Sequence, residues 1–103
     1  MPSKLILKFT PEAKADIFDI FEYISGKLSA AAAASNLIDK IEARCAGLAS
    51  SPFIGSIPRD DTLAKKGYRM LIVDSFIVFY MVRDPYVIIM RIMYGKRNYR
   101  NLL

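Results

Sequence analysis

The groups of this chain best suited to binding an anion gather at its end. Tyr94, Lys96, Arg97, Tyr99 and Arg100 follow its most hydrophobic segment, with Gly95 among them and no acid. Guanidinium and ammonium groups make charge-assisted hydrogen bonds to phosphates and carboxylates alike. The cluster lacks a residue that titrates near neutrality. Tyr and Lys hold their protons up to a pKa of about 10 in model peptides, and the chain has no histidine. It therefore reads first as a recognition surface.

Other chemistries are narrowed by composition. One cysteine, Cys45, excludes an intramolecular disulfide framework, and with no histidine the usual zinc sites are excluded as well. Cys45 lies in a helical pattern with no His base to activate it, and reads as a small buried apolar residue. No metal site and no cofactor are expected.

The net charge of +5 has a location. Residues 1–50 balance six cations with six acids, whereas residues 51–103 hold nine cations and four acids. A basic half favours nucleic acid, the ribosome or an acidic protein segment, and can also serve solubility alone. No helical segment carries a run of Lys or Arg, which speaks against a simple nucleic-acid-binding module.

The elements that must position these cations follow from local pattern. One domain over residues 1–103 is expected from the length. Lys4–Phe9 reads as a short strand. Thr10, Pro11 and Glu12 then mark a helix start with N-cap, N1 proline and first-turn acid. Ile17, Ile20, Phe21, Ile24 and Leu28 form its apolar stripe, and Gly26 places its end near Ser25–Lys27. Ser29 is the expected cap of a second helix, whose stripe runs from Ala34 through Ile41 and Cys45 to Leu48. The short link predicts an antiparallel helical hairpin.

Residues 52–66 read as a loop. Beyond them, Tyr68–Val73, Phe76–Val82 and Tyr86–Tyr94 are rich in β-branched and aromatic residues, with gaps of hairpin length between them. They predict a three-stranded antiparallel meander. Both faces are apolar; one should lie on the helices and the other be partly exposed or covered by a partner. Pairing across Asp74–Ser75 sets Val73 opposite Phe76 and Arg69 opposite Tyr80. Pairing across Arg83–Asp84–Pro85 sets Tyr80 opposite Ile88, so that Arg69, Tyr80, Met90, Ile92 and Tyr94 share a face and Arg91 projects from the other. Arg91 needs a partner, for which Asp19 and Glu22 are candidates.

At this point "TPEAKADIFDIFEYI", "SPFIGSIPR", "GYRMLIVDSFIVFY" and "RIMYGKRNYRNLL" together resemble the RelE/ParE toxin superfamily of type II toxin–antitoxin systems, over nearly the whole chain. The resemblance implies an α+β fold and a toxin neutralised by a cognate antitoxin whose C-terminal segment wraps it, with DNA contact only through the antitoxin complex. It also implies one of two activities. ParE-like members inhibit DNA gyrase; RelE-like and YoeB-like members cleave mRNA on the ribosome.

If the chain is a nuclease, the resemblance assigns Arg69 and Arg97 to phosphate stabilisation and Tyr94 to the catalytic tyrosine position. Departures favour the ParE-like branch. Met93 stands at the YoeB-like histidine position. Asp60 and Thr62 stand where RelE-like proteins carry lysines, and Leu103 replaces their terminal tyrosine. Lys65 and Lys66 lie nearby in the predicted loop. Arg69 is either structural, bound to carbonyls or to Asp60 or Asp61, or part of the target surface with Tyr94, Lys96, Arg97, Tyr99 and Arg100. The start MPSKLILKFTPEAK has no long apolar region, and the apolar runs are short of a membrane span, so a cytoplasmic protein without membrane contact is expected.

Overall fold

The structure is a computed structural model that describes residues 4–96, 99, 102 and 103. In chain order it comprises β1 (Ile6–Phe9), α1 (Pro11–Glu22), α2 (Ala31–Gly47), α3 (Asp61–Lys66), β2 (Arg69–Val73), β3 (Phe76–Arg83) and β4 (Tyr86–Tyr94). The expected α+β architecture is present, as strand, helical hairpin and meander. The meander is extended by β1, which pairs parallel with β4 to give a four-stranded mixed sheet of order β1-β4-β3-β2.

Thr10 fixes where α1 begins. Its Oγ1 accepts the Ala13 N–H at 3.0 Å and donates to the Met90 carbonyl at 2.8 Å. Its own N–H donates to the Ile89 carbonyl at 3.0 Å. The N-cap thus ties the helix start to the middle of β4. Pro11 at N1 and Glu12 in the first turn complete the expected signal. After Glu22 the helix widens into a π-type turn, Tyr23–Lys27, so that the helical segment closes at the expected Ser25–Lys27. There the Ser25 hydroxyl donates to the Phe21 carbonyl at 2.7 Å, competing with the backbone ladder.

Ser29 does not cap α2. Its backbone takes a left-handed φ of 50°, Ala30 occupies the N-cap, and no side chain bonds the first turn. The alanine run sustains the helix without a cap because its intrinsic propensity is high.

The stretch 52–66 is not all loop. Its second part forms α3, with Asp60 Oδ1 accepting the Leu63 N–H at 3.1 Å. Gly67 ends the helix at φ 93°, with Gly67 N–H on the Ala64 carbonyl and Tyr68 N–H on the Leu63 carbonyl. Lys65 and Lys66 occupy its last turn, where cations meet the negative end of the helix dipole.

Pairing of β2 with β3 follows the expected register, Arg69 opposite Tyr80 and Val73 opposite Phe76. The β3–β4 register departs from it twice. β3 runs on to Arg83, leaving a two-residue link with a cis Asp84–Pro85 bond, which sets Tyr80 opposite Ile89 in place of Ile88. A bulge then puts Phe79 opposite Arg91. The two shifts restore the original parity beyond the bulge. Ile92 and Tyr94 therefore share the Arg69–Tyr80 face, while Met90 turns to the opposite one.

The core has two layers. Tyr80, Val78, Val87, Ile89 and Ile92 lie on the helix side with Ala13, Ile41, Cys45 and Leu48. The second sheet face is not bare. Phe79, Ile77 and Met93 pack with Leu63 of α3 and with Tyr68, and Tyr99 and Leu103 lie against them. The chain itself covers part of the face for which a partner was one expectation.

Candidate functional site

Beyond Ile89 no strand among the described residues lies beside the outer edge of β4, because β1 gives way to α1. Asp16 fills the first position of that edge. Its carboxylate accepts the Ile92 N–H at 2.9 Å and both Nε and Nη2 of Arg91, at 2.7 and 2.9 Å. Asp16 is 8% exposed, so its charge is compensated by three donors in a largely dry setting. The hydrogen bond that Arg91 donates to Asp16 raises the arginine's pKa above its ordinary value, opposed in part by desolvation. Arg91 is thereby a structural partner. It pairs with Asp16, in the second turn of α1, and not with the expected Asp19 or Glu22.

The Ile92 N–H points outward from β4, and strand groups repeat every second residue, so the Tyr94 backbone faces the same way. Next to it opens a groove of about 510 Å³ between α1 with its π-type turn and the end of β4, lined among others by Ile20, Tyr23, Ile24, Phe76, Ile92 and Tyr94. Tyr94 is 45% exposed and meets the Phe76 ring edge-on at 5.9 Å.

Arg69 is engaged elsewhere. Its Nη2 donates to the carbonyls of Phe53 and Gly55 at 3.0 and 2.6 Å, and its guanidinium lies 5.3 Å from the Phe53 ring centre. Tyr80 braces the same loop, donating to the Pro52 carbonyl at 2.7 Å and accepting the Gly55 N–H at 3.0 Å. Glycine is required at 55, since a Cβ there would stand 2.5 Å from both the Met70 carbonyl oxygen and the Tyr80 hydroxyl. Ser56 then pairs with Met70 on the outer edge of β2.

Of the tail residues, Lys96 is exposed. Tyr99 is half-buried, its ring 4.9 Å from that of Phe79, so it serves the second core layer. Arg97 and Arg100 lie outside the described residues. The positions that depart from the nuclease pattern are occupied structurally: Met93 is buried in the second layer, Leu103 packs against that layer, and Asp60 caps α3.

The sequence matches the model of the ParE toxin of the type II toxin–antitoxin system, parDE, over residues 7–99. The chain belongs to this ParE toxin family. No curated relative matches it by sequence. Solved structures share its fold, two of them from toxin–antitoxin systems. One is a chain of the chromosomal ParDE TA system from P. aeruginosa, with a TM-score of 0.76 and 21% identity over 90% of this chain and 98% of that one. The other is from the RelBE2 toxin–antitoxin complex of Mycobacterium tuberculosis, with a TM-score of 0.60 and 18% identity over 91% and 94%.

In this ParE-family chain the arginine and tyrosine expected of a nuclease do not meet. Arg69 stands in the row of Tyr80 and Tyr94 in the row of Phe76, with β3 between their strands. Four residues along a strand and two strand spacings across separate them by about 13 Å and about 10 Å. The pKa shifts of Cys45, Tyr68 and Arg91 are all upward, away from neutrality. Burial raises the Tyr68 phenol, and the Arg91 charge offsets part of that rise. Sequence reasoning missed Asp16 and Tyr80 as the residues that fix these surfaces. Asp16 was visible as a helix acid one turn before Asp19; Tyr80 carried no signal beyond its aromatic type.

Proposed function

We propose that the chain is the toxin of a type II pair, acting in the cytoplasm by binding DNA gyrase as a protein inhibitor and not by cutting mRNA. The observation that carries this reading is the separation of Arg69 from Tyr94 across the sheet. Cleavage of RNA needs a proton acceptor, a charge stabiliser and a proton donor around one phosphate. Arg69 instead holds the 52–55 backbone through two carbonyls. Inhibition by binding makes no such demand.

A cognate antitoxin is the second partner. Its segment would enter the groove beside Tyr94, taking the outward backbone groups of β4 by strand addition and burying apolar side chains against Ile20, Ile24 and Phe76. Acidic side chains of the same segment would cover Lys96, Arg97 and Arg100. DNA contact comes only through that complex. A supercoiling assay tests the reading: purified toxin should inhibit gyrase, and added antitoxin should relieve the inhibition. Unimpaired supercoiling at toxin concentrations well above those of gyrase would defeat it.

A further inference from the structure

Residues 52–58 present three large apolar side chains to solvent. Phe53 is 65%, Ile54 68% and Ile57 60% exposed. One exposed apolar residue needs no explanation, but three on one short loop do. The loop is also braced from beneath. Arg69 holds the Phe53 and Gly55 carbonyls, Tyr80 holds Pro52 and Gly55, and Ser56 exchanges backbone hydrogen bonds with Met70 at 2.9 and 2.8 Å.

At the foot of this projection lies a pocket of about 210 Å³, bordered by Phe53, Ile57, Tyr68, Arg69, Val82 and Arg83. Among the described residues its charged lining is two arginines and no acid. Arg69 Nε is buried without a hydrogen-bond partner. Arg83 gives Nη2 to the Lys66 carbonyl at 3.1 Å and Nη1 to the Val82 carbonyl at 3.0 Å, so neither arginine faces a carboxylate in these bonds.

Shape and charge together restrict the occupant. A projecting apolar loop needs a concave partner surface, which a folded protein supplies. A braced loop loses little freedom on docking, so more of its buried area appears as affinity. Two guanidinium groups at its base complement a carboxylate at the rim of that surface. The Tyr94 groove has the opposite form and suits an extended segment.

We infer that the 52–58 loop is a preformed docking projection for the toxin's protein target: Phe53, Ile54 and Ile57 enter an apolar pocket of a folded partner, and one partner carboxylate enters the Arg69–Arg83 pocket. This rests on the reading that the toxin acts by binding a protein. It places target and antitoxin on different surfaces, at opposite ends of the sheet.

The test uses the full chain purified with its antitoxin, as the Phe53→Ser/Ile57→Ser double variant, as Arg83→Glu, and as Phe53→Leu and Arg83→Lys controls. Thermal unfolding of each complex confirms folding. Antitoxin affinity should stay at the wild-type value in all four. Freed from antitoxin, the double variant and Arg83→Glu should each need about tenfold more toxin to inhibit gyrase, the effect of losing a central anchor. Their growth arrest on expression should be lost, and the two conservative variants should each lose less than their counterparts. Wild-type potency in the double variant or Arg83→Glu overturns the inference. So does a parallel loss of antitoxin affinity, or a wild-type dimer that these variants make monomeric. If wild type arrests growth without inhibiting gyrase while the variants fail to arrest it, the projection stands and the gyrase reading falls. A wild-type chain that does neither overturns both.

Discussion

Asp16 shows how one buried charge sets the geometry of a surface. Three hydrogen bonds converge on its carboxylate, two from Arg91 and one from the Ile92 backbone. Asp16→Ala would leave the Arg91 charge and the Ile92 N–H uncompensated. The expected cost is about 3 kcal/mol, in the range for breaking one side of a buried pair. Replacing both partners by apolar residues, as in Asp16→Leu/Arg91→Met, should recover most of it. Urea unfolding of the wild type and the two variants measures this, and a loss below about 1 kcal/mol for Asp16→Ala would show that the pair is not structural. Cys45 makes a second case. Burial pushes its thiol up to about 12 from 9.0. A folded-state pKa above the unfolded one stabilises the fold fully below pH 9 and loses that contribution as pH rises from about 9 toward 12. Native protein at pH 8 should therefore resist thiol-alkylating reagents, and unfolded protein should react at once; rapid labelling of the native chain would contradict the burial.

At the scale of elements, α3 and the bulge decide what surrounds the sheet. Asp60→Ala removes the side-chain acceptor for the Leu63 N–H and should cost about 1 kcal/mol. Gly67→Ala meets a positive φ and brings a Cβ within 2.7 Å of Arg83 Nη2, and should cost about as much again. The neighbouring Asp61→Ala should cost less than either. Equal effects at positions 60 and 61, by thermal unfolding, would mean the cap contributes nothing. The sequence carried the signal for this helix: a capping Asp60, Lys65 and Lys66 in the last turn, then glycine. It was hidden because six residues with one buried apolar side chain, Leu63, show no periodicity. The β3–β4 register was obscured for a different reason. Phe76–Val82 is apolar at every position, so either register buries apolar residues on both faces and nothing in the pattern marks Met90 as the extra residue. The β2–β3 register was legible because a two-residue turn allows one pairing. Among site residues, Arg69 was identified with its carbonyl-binding alternative, and the structure engages it with carbonyls. The exposed Phe53, Ile54 and Ile57 were passed over because apolar residues in a loop carry no periodic signature.

At the scale of the whole molecule, the two ends of the sheet have different forms. The Tyr94 end offers a groove and an unpaired strand edge; the Tyr80 end offers a braced apolar projection with two arginines. Arg91 is bound to Asp16, and Arg69, one of the two arginines assigned to phosphate stabilisation in a nuclease, to the loop it supports. On the proposed reading, a protein built this way binds its targets and leaves RNA intact. Mapping of mRNA ends on translating ribosomes tests that claim most directly, with toxin freshly released from its antitoxin. The account predicts the same end pattern with and without toxin, for wild type and for Arg69→Ala and Arg97→Ala alike. New cleavage ends that appear with wild type and vanish with either substitution would contradict it and make the chain an endoribonuclease.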